Sequence, residues 1–117
     1  MLRLSIRRIK PEKEGRLRTW LSELNARADE VRATFEDETV RAEQAYIVPT
    51  SDGPLLVYAM EAEDLDRGRR AFAASKHAID LEHRAVMQEC LDESLGLRPL
   101  YDVAATRGAA GPPDFDA

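Results

Sequence analysis

Cysteine is almost absent from this chain. Cys90 stands alone among 117 residues, which excludes an intramolecular disulfide and a thiolate metal cluster. Long apolar runs are missing too, and none approaches the roughly 20 residues that cross a bilayer. The N-terminus enters Arg-rich strand alternation with no secretory pattern, so a cytoplasmic address and no membrane partner are expected. There is no glycine-rich phosphate loop, no G-x-G-x-x-G and no G-x-S-x-G. Those absences argue against a nucleotide-dependent enzyme and a serine hydrolase, and no cofactor is expected. Positive charge is in deficit, with 17 Lys and Arg against 22 Asp and Glu and a net charge of −5. Nucleic-acid binding needs a basic footprint and is not expected. The local exception is Arg3, Arg7, Arg8 and Lys10. These either bind an anion or form the wet face of an edge strand, where charge prevents unwanted pairing; the edge strand is the favoured reading.

What is present is an ordered change of hydrophobic period. A period near two runs over Leu2–Ile9, and helical spacing follows from Lys13 to Phe35. Strand-like runs come next at Val40–Val48 and Leu55–Met60. Helical spacing returns from Asp64 to Leu95, with a break near Ala74-Ser75, and a last strand fits Leu100–Ala104. The order β-α-β-β-α-β predicts an α+β, ferredoxin-like fold with a four-stranded antiparallel sheet and helices on one face. Pro49–Pro54 is dense in turn formers and reads as the hairpin loop. One domain is expected over 1–104, followed by a flexible tail over 105–117 rich in Gly, Ala and Pro.

Both histidines fall in Ser75–His83. Residues advance about 100° each on a helix, so Asp80 lies between His77 and His83 and can orient either ring. A carboxylate beside an imidazole is what general-base chemistry uses, and His83 shares its face with Ile79, Val86 and Cys90. His77, Asp80 and His83 are the catalytic candidates. The bland alternative is a core histidine bonded to protein, with Asp80 paired to Arg84. No metal site is expected, because this spacing scatters the three side chains around the helix.

Further candidates lie outside that helix. Glu43 shares a strand face with Arg41, Ala45 and Ile47. Under a helix its carboxyl would need a partner, and burial would raise its pKa; in solvent it is only a surface charge. Tyr46 and Tyr58 sit on neighbouring strands, and Trp20 and Arg27 on the first helix. These five are the ligand-lining candidates, against ordinary roles in a core or an interface.

One motif string is more specific as a set than in its pieces: Trp20-x2-Glu23-Leu24-x2-Arg27-x-Asp29-Glu30, then Glu43-x-Ala45-Tyr46, then Leu56-Val57-Tyr58-x-Met60-x-Ala62-x-Asp64, then Ser75-x-His77-x-Ile79-Asp80-x2-His83. It resembles a small uncharacterised bacterial family, a domain of unknown function in the dimeric α+β barrel superfamily, over Leu2 to Val103. The resemblance implies a ferredoxin-like subunit whose open sheet face packs on a second subunit. It also implies a ligand pocket between sheet and helices. It carries over no catalytic residue, and fold analogy does not license a reaction.

Two functions follow as expectations. One is a small-molecule-binding protein or cofactor-independent enzyme. The other is a non-catalytic dimeric structural or interaction module. A hollow of roughly 300 Å³ or more with His83 and Glu43 facing it favours the first. A filled core with both groups bonded to protein favours the second. The homodimer is expected on physical grounds as well. Helices cover one sheet face, while Val40–Val48 and Leu55–Met60 send apolar side chains to both.

Overall fold

The computed structural model describes residues 1–105. The tail expected over 105–117 falls, from residue 106 onward, outside the described residues. The elements are β1 (Leu2–Ile9), a 3-10 turn (Pro11–Lys13), α1 (Glu14–Ala26), α2 (Ala28–Glu38), β2 (Val40–Val48), β3 (Leu55–Ala62), α3 (Leu65–Ala74), α4 (Ala78–Cys90) and β4 (Leu91–Leu95). The four strands form one antiparallel sheet in the order β2-β3-β1-β4. This is the α+β arrangement that the period order predicts.

Local signals account for most of the boundaries. Pro11 opens the turn that leads into α1. Gly53, at φ 111°, closes the hairpin loop, and Thr50 donates its hydroxyl to the Gly53 carbonyl at 2.6 Å. Asp64 caps α3 by accepting from the Arg67 amide at 3.0 Å. Thr39 ends α2 in the left-handed region at φ 57°. Its hydroxyl accepts from the Asp64 amide (2.9 Å) and donates to the Asp64 carbonyl (3.0 Å), which ties the end of α2 to the start of α3.

Three expectations are corrected. The long first helix is two helices, broken at Arg27 (φ −105°, ψ 31°). The last strand is not Leu100–Ala104. It is Leu91–Leu95, which follows α4 without a loop. Helical spacing cannot see this boundary, because Leu91 must sit opposite Ile9 on β1 and be buried there. Leu100, Tyr101 and Val103 instead stand exposed after it. Finally, β1 is no edge strand, since β3 and β4 flank it. Arg3, Ser5 and Arg7 lie opposite Met60, Tyr58 and Leu56, on the side the helices cover. Leu2, Leu4 and Ile6 point to the open side.

The core lies between helices and sheet. Ile9, Leu17, Trp20, Leu56, Ile79, Val86, Cys90 and Leu91 form its main cluster. Cys90 is a buried core residue there, and burial pushes its thiol up, away from thiolate chemistry. Gly68 allows one close approach. A β-carbon there would lie 2.6 Å from the Glu38 carbonyl oxygen, so α3 packs against the end of α2 only because the side chain is absent.

Candidate functional site

A cavity of about 250 Å³ lies between the sheet and the helices. Leu24, Val31, Leu56, Phe72, Ile79 and Met87 make its apolar walls. The polar part of its lining includes Glu38 from the end of α2, Glu43 from β2, Tyr58 from β3, and Asp80 and His83 from α4. Arg3, Arg7 and Arg69 also border it.

Strand register brings Glu43 in. Glu43 faces Met60 and Ala45 faces Tyr58, so Glu43 and Tyr58 share the helix-covered face at a diagonal. The Tyr58 hydroxyl donates to the Glu43 carboxylate. Burial raises the Glu43 pKa, the Tyr58 bond opposes that rise, and Asp80 adds to it. Tyr58 itself is held well above the usual phenol range, first by burial and then by Glu43.

His83 is held from the other side. The Trp20 indole donates to His83 Nδ1 at 2.9 Å. That ring nitrogen is therefore an acceptor, and the proton of the neutral imidazole sits on Nε2. Burial lowers the His83 pKa and Asp80 pulls it back up. Tyr58 and Phe72 complete an aromatic surround, with ring centroids 6.1 and 5.9 Å from His83. Trp20 thus supports the site from behind without lining the cavity.

Asp80 does not orient His83 by a hydrogen bond and does not pair with Arg84. Arg84 donates instead to the carbonyls of Phe72, Ala73 and Ser75, closing the end of α3. Asp80 is 6% exposed, and its Oδ2 is buried with no hydrogen-bond partner. Among the described residues it is the only buried side-chain polar atom in that condition.

The remaining candidates lie elsewhere. Arg27 is outside the cavity, in ion pairs with Glu82 (2.7 Å), Glu30 (2.8 Å) and Glu23 (3.5 Å), its guanidinium over the Trp20 ring. Tyr46 is half-exposed on the open sheet face and donates to Gln44 at 2.7 Å. His77 precedes α4 at the border of a second hollow, 3.6 Å from Asp37. Asp80 and Glu38 border both hollows. Among the described residues no group of three or more His, Cys, Asp or Glu is placed to hold a metal ion.

Glu38 is the residue that reading the sequence passes over. It is 5% exposed, and its carboxyl is pushed up to about 7. Burial is the main cause; a Thr34 hydroxyl opposes it, while Asp80, Glu43 and Asp37 add to it. The signal was there. Glu38 lies four residues after Thr34 and seven after Val31, on the inward stripe of α2, but among acidic neighbours it looks like a solvated helix end.

A family model matches residues 1–107. The chain belongs to the DUF6176 family, a family of unknown function. Comparison with curated proteins finds no match, and comparison with solved structures finds none. Membership in DUF6176 therefore assigns no reaction, and the chemistry of the site has to be argued from its own residues. No helix among the described residues is long and apolar enough to cross a membrane.

Proposed function

We propose that the cavity between sheet and helices binds a small organic molecule, and that the chain acts as a homodimer of the dimeric α+β barrel type. One observation carries the binding reading: the Asp80 carboxylate, buried on the cavity wall with an unsatisfied oxygen. A buried acceptor left without a donor costs about 1–3 kcal/mol. A ligand that brings a donor recovers that cost. A purely structural network leaves it standing, although the Trp20–His83 and Tyr58–Glu43 bonds are what such a network would contain.

The cavity, at about 250 Å³, is smaller than the roughly 300 Å³ expected of a ligand pocket and suits a ligand smaller than a typical drug. For proton transfer, Glu38 is the best-placed group, since a carboxyl near pH 7 can hold or release a proton at the working pH. His83 suits donation from Nε2 rather than base catalysis, because Trp20 occupies its other nitrogen.

The dimer is supported by the open sheet face. Leu4, Ile6, Val57 and Ala59 lie at its centre by register, and Leu2, Tyr46 and Val48 on it are 41%, 51% and 39% exposed. A contiguous apolar face of this kind normally marks an interface. A second copy offers the same surface in self-complementary form.

The test of binding uses the methionine methyls. Met60 and Met87 line the cavity and Met1 does not. A fragment screen on methyl-labelled protein is expected to move the Met60 and Met87 resonances while leaving Met1 in place. A screen in which no fragment moves them would overturn the reading.

A further inference from the structure

Resting on the binding reading above, we infer that the cavity takes a protonated amine: a small ligand with an ammonium end directed at Asp80 and an apolar body among Leu24, Val31, Phe72 and Ile79. The argument is a balance of donors and acceptors. Three carboxyl groups border the cavity, Glu38, Glu43 and Asp80, and they come from three different elements. Their demands are met unequally. Glu43 accepts from Tyr58. Asp80 Oδ2 accepts from nothing, although Asp80 is more than nine-tenths buried. The missing partner is therefore a donor.

The arginines do not supply it. Arg7 gives its Nε and Nη2 to the Asp92 carbonyl oxygen on β4, at 3.2 and 2.7 Å. Arg69 pairs with Asp66 at 3.2 Å. The histidine next to Asp80 is kept from charging, since Trp20 occupies Nδ1 and burial disfavours the imidazolium. Three arginines thus border the cavity, and none of them donates to Asp80 Oδ2.

A neutral donor would satisfy one oxygen. An ammonium does that and also answers the clustered negative charge, which is felt mutually: Asp80 raises the proton affinity of both Glu38 and Glu43. Hydrogen bonds to a charged group contribute about 1.5–3 kcal/mol against roughly 1 for neutral pairs. Tyr58, His83 and Phe72 also border the cavity, and aromatic rings attract a cation.

Three probes of one shape decide the matter: benzylamine, benzyl alcohol and benzoate, titrated near neutral pH against the Met60 and Met87 methyl resonances. Benzylamine is expected to bind about tenfold or more tighter than benzyl alcohol, with benzoate weakest. Asp80→Asn, which keeps the shape and removes the charge, is expected to erase the advantage of the amine. Equal binding of alcohol and amine, or tighter binding of benzoate, overturns the ammonium assignment and leaves the cavity as a ligand site. If none of the three moves either methyl, the ammonium assignment falls together with the binding reading. Should Asp80→Asn fail to fold, the order of the three probes on the wild-type chain decides by itself.

Discussion

The Trp20 indole and the His83 ring meet across α1 and α4, with the Trp20 N–H donating to His83 Nδ1 at 2.9 Å. This bond sets the tautomer of the only histidine in the cavity and joins the wall of the site to the main core. Trp20→Phe removes the donor and keeps most of the apolar volume. The buried acceptor is then unsatisfied, so a loss of about 1–3 kcal/mol is expected in urea unfolding. The bond favours the neutral ring, so the His83 pKa is expected to climb when it is lost. An NMR titration that leaves the His83 pKa where it was would show that the indole does not hold the ring.

Glu38 and His83 make opposite contributions to the pH dependence of stability. The Glu38 pKa rises from 4.5 to about 7 on folding, so the native state holds the extra proton between those values. Its contribution is fully present below pH 4.5 and is lost as pH rises through about 7. The His83 pKa falls below 6.5 on folding, so its contribution is present above pH 6.5 and is lost as pH falls below it. Glu38→Gln should remove the first effect alone. The variant is expected to be more stable than wild type at about pH 8 and nearly equal at about pH 4. Urea midpoints across that range check it, and a variant less stable than wild type at the alkaline end contradicts the assignment.

Gly68 is a packing residue. In Gly68→Ala the new methyl carbon would meet the Glu38 carbonyl oxygen at 2.6 Å, and that atom belongs to the backbone and cannot swing away. Alanine gains up to about 1 kcal/mol in helix propensity, but forcing the elements apart costs roughly 1–3 kcal/mol. A net fall in melting temperature is expected, together with shifted Met60 and Met87 methyl resonances as the cavity wall moves. A rise in melting temperature would mean that α3 relaxes freely.

The proposed dimer has a direct test at Ile6 and Val57, which face each other across β1 and β3 on the open side. Ile6→Glu or Val57→Lys puts a charge into the middle of that face, and sedimentation velocity is expected to find monomers. The wild-type chain is expected to sediment as a dimer at micromolar concentration. A wild-type monomer would refute the interface.

Helix ends and strands separate what is local from what is not. The break near Ala74-Ser75 and the Pro49–Pro54 hairpin could both be read from neighbours in sequence, and the structure contains each of them. The fourth strand could not. Leu91 and Leu95 fit a helical spacing as well as a strand, and the stretch between them is Asp-Glu-Ser, a poor strand former. Only pairing with β1 resolves the choice.

The site divides along the same line. His83, Glu43, Tyr58 and Asp80 could be singled out by residue type and spacing, and all four border the cavity. Arg27 and Tyr46 could be singled out in the same way and do not. Periodicity along one segment determined the order of elements and the apolar stripes, because it depends only on residues a turn or a pleat apart. Which side of β1 meets the helices, whether Glu38 and Glu43 are buried, and who holds His83 were decided by strand register and helix packing. Those join positions on different elements, as Trp20 and His83 are at a separation of 63, and no local pattern encodes them.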